Sequence, residues 1–135
     1  MSATVLNTTE TYATPATGVG FQLRLESGAF AAAAIVAYAM TGASWWLFAV
    51  LILAPDLGML GYLAGPRVGA RIYNAAHNLA FAAIAIGLGW YFAVPVLLAL
   101  GLIWVAHISI DRTLGYGLKL PDSFKHTHLG PIGKH

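Results

Sequence analysis

Two pairs of ionisable or polar side chains have the spacing that places both members on one face of a helix. His107 and Asp111 are four residues apart, and so are Tyr73 and His77; residues at i and i+4 are neighbours on a helix surface. Asn74 precedes His77 by three residues and shares its face. Imidazole and carboxylate groups bind zinc, iron and manganese. These residues therefore predict a divalent metal site.

Two further acids, Glu26 and Asp56, lie in other apolar stretches of the chain. Pro55 removes a helical hydrogen bond just before Asp56, which favours a bend and a free carbonyl near the acid. Carboxylates and histidines inside a membrane are costly and usually face the bundle interior, so they are functional candidates. The predicted metal ligands are His77, His107, Asp111, Glu26 and Asp56, with Glu26 and Asp56 also candidate catalytic groups and with Tyr73, Asn74, Arg112 and His128 in support.

Each of these residues also has a simpler explanation as an ion pair or a packed polar group. Glu26 would pair with Arg24 or Arg112, and Asp111 would pair with the adjacent Arg112. Asp56 would pair with an arginine or with the backbone freed by the proline. The two histidines would be hydrogen-bonded core residues. Without cysteine, a purely structural zinc site is disfavoured.

Composition places these residues in a membrane protein. Of the 135 residues, 59% are hydrophobic and 9% are charged, whereas a soluble domain carries about 25% charged residues. A soluble protein of this size could not bury so much apolar surface. The absence of cysteine excludes a disulfide framework and a cysteine nucleophile, and the net charge of +2 does not suggest nucleic acid.

The apolar residues form four continuous runs, each close to the roughly 20 residues that a helix needs to cross a bilayer. They show no period-two alternation, so we expect an all-α membrane protein, a bundle of about four transmembrane helices. The connector GPRVGAR separates the second run from the third. The runs are Phe21–Met40, Trp45–Ala64, Ile72–Phe92 and the stretch from Pro95 to Ile110. The predicted organisation is a flexible tail over 1–19, the transmembrane domain over 20–112 and a C-terminal segment over 113–135.

The basic residues predict the orientation of the bundle. All seven lysines and arginines fall on one side of the four runs, and the positive-inside rule makes that side cytoplasmic. We therefore expect a multi-pass inner-membrane protein with both termini in the cytoplasm. The candidate ligands lie near the same ends of the helices, within roughly 12 Å of that interface at about 1.5 Å per residue.

The C-terminal segment is too polar to span a membrane and is predicted to lie along the cytoplasmic interface. His126 and His128 point to the same side of an extended strand, which would place them over the mouth of the polar cluster. An ordinary basic tail is the simpler interpretation, and it is favoured for His126.

The longest motifs resemble a known family. APDLGMLGYLAGPRVGARIYNAAH, LIWVAHISIDRTLGYGLK and FKHTHLG are similar to the bacterial domain-of-unknown-function 4260 family, over residues 21–133. The resemblance implies a small multi-helix membrane protein and includes all the predicted ligands. Position 126 is often acidic in that family and is His126 here, which argues against a ligand role for this residue. The resemblance implies no activity.

These observations leave several functions open. The leading hypothesis is a metal-dependent enzyme, in which a metal-activated water hydrolyses an amphiphilic substrate. The alternatives are a proton-relay or transport component, a haem or pigment protein that uses His77 and His107, and a structural subunit of a membrane complex. The expected cofactor is zinc, iron or manganese. The expected partners are membrane lipids and a homo-oligomer or membrane complex, and no nucleic acid.

Overall fold

Four helical stretches are long and apolar enough to cross a membrane in the part of the chain that the structure describes. The computed structural model describes residues 17–119, 121, 125–127 and 129–132. The predicted all-α membrane fold is confirmed. Of the predicted N-terminal tail, residues 1–16 lie outside the described residues. The stretches are Gly18–Thr41, Trp45–Ala64, Pro66–Tyr91 and Pro95–Leu114.

The first and last spans are continuous helices, whereas the second and third are each broken into two pieces. The second span starts as an α-helix and continues as a 3₁₀ helix of 11 residues, which is long for that geometry. The third span is two α-helices in succession. The helices are α1 (Thr17–Thr41), α2 (Trp45–Leu51), the 3₁₀ segment (Ala54–Ala64), α3 (Pro66–Ala76), α4 (Leu79–Tyr91) and α5 (Pro95–Leu114).

The predicted connector GPRVGAR is helical and forms the first turns of α3. Proline suits the first position of a helix because its missing N–H has no partner there. Pro66 occupies that position, and Gly65 reverses the chain before it with a φ of 113°. The 3₁₀ segment and α3, with the C-cap residue His77, therefore form a tight helical hairpin, called here the broken hairpin (54–77), with only Gly65 between the two helices.

Helix α5 is the centre of the bundle. Helices α1 and α4 pack along it, and α3 packs on the 3₁₀ segment. Helices α4 and α5 approach closely at Gly89, which has no side chain. A Cβ added there would lie 2.4 Å from the backbone nitrogen of Leu98. Small residues permit such backbone approach in membrane helices.

The surface of the bundle matches a membrane environment. Large apolar side chains such as Val36, Ile84 and Leu88 are exposed along the helices. Trp46 and Trp90 are exposed at one end of the bundle, where an aromatic belt would lie.

Helix α5 extends to Leu114, four residues beyond the predicted Ile110, and ends at Gly115 in the left-handed conformation. The following segment returns towards the bundle. It contains the antiparallel strands β1 (His126–Thr127) and β2 (Gly130–Pro131), and Thr127 also forms a bridge with Lys119.

Candidate metal centre

Four of the five predicted ligands meet at one point between the broken hairpin and α5. One ligand atom from each of Asp56, His77, His107 and Asp111 lies within 4.8 Å of the other three. The Nε2 atoms of the two histidines are 3.1 Å apart. Each Nε2 is also 3.2–3.3 Å from Asp56 Oδ1 and from Asp111 Oδ2. The broken hairpin and α5 each contribute one histidine and one aspartate.

These separations fit the edges of a metal coordination tetrahedron. Zinc binds nitrogen and carboxylate oxygen at about 2.0–2.2 Å. A tetrahedral edge is about 1.6 times the bond, roughly 3.3–3.5 Å for these ligands. Five of the six edges measure 3.1–3.3 Å. The sixth joins the two carboxylate oxygens, and its upper limit is the 4.8 Å within which all four ligand atoms lie. The arrangement therefore fits a small divalent cation with nitrogen and oxygen ligands.

Both imidazole rings are held with the Nε2 lone pair towards the centre. His77 Nδ1 lies 2.9 Å from the carbonyl oxygen of Tyr73, and His107 Nδ1 contacts the carbonyl oxygen of Ile52. A carbonyl only accepts hydrogen bonds, so Nδ1 carries the proton in each ring. Carbonyl acceptors behind a ligating histidine fix its tautomer and orientation in metal sites.

The break in the second span provides one of these carbonyls. Pro55 has no N–H, and the amide of Asp56 donates to Leu53 rather than to Ile52. The carbonyl of Ile52 is thereby left for His107. The free carbonyl expected near Asp56 from the position of Pro55 is therefore present, and its acceptor role is to orient a histidine.

The break in the third span follows from Asn78. Its side-chain oxygen accepts from the backbone N–H of Ala80 and starts α4 as a new helix. The carbonyl of Ala76 then accepts a hydrogen bond from the indole of Trp104. The carbonyl of His77 lies 3.5 Å from the guanidinium of Arg112. Carbonyls at both breaks are thus satisfied by side chains of α5, as buried polar groups require.

Tyr73 and Asn74 contact the surroundings of the cluster from α3. The Tyr73 ring stacks on the His77 ring with centroids 3.8 Å apart, and the Lys119 ammonium lies over the same tyrosine, 4.9 Å from its centroid. The Asn74 amide donates to the carbonyl of Lys119 at 2.8 Å and accepts from its N–H at 2.6 Å. Burial lowers the pKa of Lys119 to about 8, against the opposing effect of the Asp111 and Asp56 carboxylates.

The cluster is closed on its histidine side and open on its carboxylate side. The two histidine side chains are 4% exposed, whereas those of Asp56 and Asp111 are 31% and 20% exposed. Beside the cluster lies an apolar cavity of about 220 Å³. Its lining includes the immediate chain neighbours Pro55 and Ala76, together with Trp104, one helical turn before His107.

Other predicted site residues lie elsewhere. Glu26 is not part of the cluster: it is exposed on α1 and lines a separate cavity together with Arg112. His128 lies outside the described residues, as does the side chain of His126, so the predicted cover over the site falls there too. The ion pairs considered for Glu26 with Arg24 or Arg112 are not formed among the described residues.

Three contributors to the site were missed by reasoning from the sequence. Asn78 reads as a lone polar residue, although an asparagine followed by a helical run is a typical helix N-cap. Trp104 has the character of an apolar residue in the fourth span. Its indole N–H was the only sign that it would need a buried hydrogen-bond acceptor. Lys119 contributes through its backbone N–H and carbonyl. Nearly every residue has these groups, so the sequence could not single it out.

One of the comparisons with known proteins found a match. The family model described as a domain of unknown function, DUF4260, matches residues 21–132. The match covers most of the chain, and the chain belongs to that family. No curated protein and no solved structure matches it.

Proposed function

We propose that this member of the DUF4260 family binds a divalent metal through Asp56, His77, His107 and Asp111 and uses it in a hydrolase-like reaction on an amphiphilic substrate. One observation carries the proposal. Two imidazole nitrogens, each with its proton on the opposite ring nitrogen, lie 3.1 Å apart and face two carboxylate oxygens. Four acceptors at such distances favour a cation among them.

Protons alone satisfy this group less well than a metal does. If both histidines were doubly protonated, two N–H groups would meet at 3.1 Å. If neither were, two lone pairs would face one another and two carboxylates. If only one were, its N–H would donate to the other Nε2, but one of the two aspartate charges would stay unbalanced. A divalent cation binds all four groups at once and balances the two aspartate charges, in a ligand set that suits zinc, iron or manganese.

The geometry does not suit the haem alternative. Two axial histidines on opposite sides of an iron are separated by twice the bond length, about 4 Å for bonds of about 2 Å. The two Nε2 atoms here are 3.1 Å apart and have carboxylate oxygens beside them. This spacing supports neighbouring ligands of one small ion instead.

The chemistry would use the open side of the site. If the ion takes a fifth or sixth ligand beyond the four side chains, as iron and manganese do, it would lower the pKa of a coordinated water and polarise a substrate carbonyl or phosphoryl oxygen. Asp56 has the more exposed carboxylate, so it is the group placed to accept a proton from a water at the mouth. His77 and His107 stay fixed by their carbonyl acceptors.

The apolar cavity supports an amphiphilic substrate. It adjoins the cluster through Pro55 and Ala76 and is lined otherwise by apolar side chains and Trp104. A substrate with a polar reactive group at the aspartates would have space for its apolar chain directly beside them. Ligand pockets typically combine an apolar lining with a few polar groups in this way.

Elemental analysis tests the metal centre. The protein would be produced with zinc, iron and manganese in the medium and purified without affinity histidines. We expect about one metal per chain in the wild type and a clear loss in His107→Ala and Asp111→Ala. Glu26→Gln is the matched control, because it removes a carboxylate of a transmembrane helix that lies outside the cluster, and it should retain the metal.

A wild type free of metal after this growth would contradict the metal centre. The four residues would then form a proton-sharing ion-pair group, which is the arrangement expected of a proton relay. In that case Asp111→Asn would mainly lower stability, because it leaves a neighbouring charge without its partner.

We also propose that the site opens to the cytoplasm of a multi-pass inner-membrane protein. The support is the distribution of the arginines and lysines among the described residues, which lie at the end of the bundle that carries the cluster. Reporter fusions at residue 43, at residue 68 and at the C-terminus should read outside, inside and inside. An outside C-terminus would place the site on the other face.

A further inference from the structure

A second cavity, of about 160 Å³ and with polar groups in its lining, lies between α1, α4, α5 and Leu129 of the C-terminal segment, and it is distinct from the apolar cavity beside the metal centre. Glu26 from α1 and Arg112 from α5 both line it, yet no ion pair joins them within the described part of the chain. Ser109 also lines it. That residue is 1% exposed, and its oxygen has no hydrogen-bond partner among the described residues.

An unpartnered buried hydroxyl is unusual, because buried polar atoms nearly always have a partner. Ser109 lines the same cavity as the Glu26 carboxylate and the Arg112 guanidinium, which do not form an ion pair with each other. A ligand that satisfies all three groups carries a cation for Glu26, an anionic oxygen for Arg112 and a hydrogen-bonding atom for Ser109. That ligand is a zwitterion.

The rest of the lining indicates that the zwitterion belongs to a membrane lipid. Leu23 and Phe30 flank Glu26 on α1 and are 40% and 60% exposed on the bundle surface. Arg112 is two residues from the end of its span, the level at which lipid headgroups lie. A soluble zwitterion would gain nothing from these exposed apolar groups, whereas acyl chains would lie along them.

We propose that this cavity binds the headgroup of a phospholipid with a primary ammonium, of the phosphatidylethanolamine class. The ammonium contacts Glu26, the phosphate contacts Arg112 and the Ser109 hydroxyl binds a phosphate oxygen. This site uses none of the proposed metal ligands, although its Arg112 also contacts the carbonyl of His77. A trimethylated headgroup cannot donate a hydrogen bond to Glu26, and a glycerol headgroup has no charge for it, so both are selected against.

Native mass spectrometry on the full chain in detergent tests the proposal. The protein is offered equal amounts of phosphatidylethanolamine, phosphatidylcholine and phosphatidylglycerol. The wild type should retain the ethanolamine lipid about tenfold better than the other two, the lower range for a hydrogen bond to a charged group. Glu26→Gln should abolish this preference and leave metal content unchanged.

Two further variants separate binding from folding. Arg24→Gln is the control, because Arg24 is also a charged residue of α1 but donates to the carbonyl of Thr113, and it should keep the preference. Ser109→Ala should weaken lipid retention without lowering stability in lipid-free detergent, since it removes only an unpaired hydroxyl. If the serine had only a structural role, Ser109→Ala would instead lower stability and leave lipid retention unchanged.

Two results would overturn the proposal. The first is an equal retention of the three lipids by the wild type, or a preference that survives Glu26→Gln. The second is displacement of the ethanolamine lipid by free phosphoethanolamine at equal concentration, which would assign the cavity to a soluble zwitterion instead.

Discussion

The attachment of the C-terminal segment to α3 gives the sharpest stability prediction. The Asn74 side chain forms two hydrogen bonds with the backbone of Lys119, one as donor and one as acceptor. A net contribution of about 1 kcal/mol for each bond predicts that Asn74→Ala destabilises this attachment by about 2 kcal/mol. The open form of the segment should therefore be about 30 times more populated.

Limited proteolysis by trypsin measures that population. Lys119 is 3% exposed and must open before cleavage, whereas Lys125 is exposed and serves as the internal reference. Cleavage tracks the open population when opening and closing are fast relative to cleavage. The rate at Lys119 relative to Lys125 should rise about 30-fold in Asn74→Ala. The control is Asn78→Ala, which removes the cap of α4 but no contact with Lys119.

An unchanged rate at Lys119 in Asn74→Ala would refute this reasoning, because it would mean that the two bonds do not hold the segment. A rise of equal size in Asn78→Ala would also refute it, by pointing to general loosening of the bundle. Metal content adds a second measurement. Since Asn74 supports the site without being a ligand, Asn74→Ala should leave partial metal occupancy.

Two other predictions concern packing and the apolar cavity. Gly89→Ala should destabilise the folded protein by about 1–3 kcal/mol, because the new Cβ meets the backbone of Leu98. A lower thermal midpoint would measure this loss. Gly87→Ala, with nothing within 4 Å of its Cβ, should not destabilise, and a similar loss in both variants would contradict the close approach. An amphiphile with bromine atoms along its chain should quench the tryptophan fluorescence of the wild type more than that of Trp104→Phe, because Trp104 lines the apolar cavity. Equal quenching of the two proteins would show that the chain does not enter this cavity.

Much of the site follows from local rules that act within a single helix. The i, i+4 spacing of His107 and Asp111 puts both on one face of α5, and Pro55 necessarily leaves a carbonyl free near Asp56. The number of spans follows from the length of the apolar runs. Such features need no knowledge of which helix lies beside which.

The remainder depends on how each helix is rotated against its neighbours. Glu26 is at nearly the same depth as the other acids, but α1 turns it towards Arg112 and away from the cluster. Depth along a span is readable from the sequence, whereas rotation depends on packing against α5. The broken third span was also unreadable from apolar content, because the cap at Asn78 interrupts the helix without interrupting the hydrophobic run.

The division of the four candidate ligands has a mechanical consequence. Asp56 and His77 belong to the broken hairpin, and His107 and Asp111 belong to α5. Direct helix packing between these two units is sparse among the described residues, and hydrogen bonds to backbone carbonyls join them instead. An ion at this point would act as a removable cross-link between two halves of the bundle, so chelation should allow them to separate as rigid bodies while each keeps its own helices.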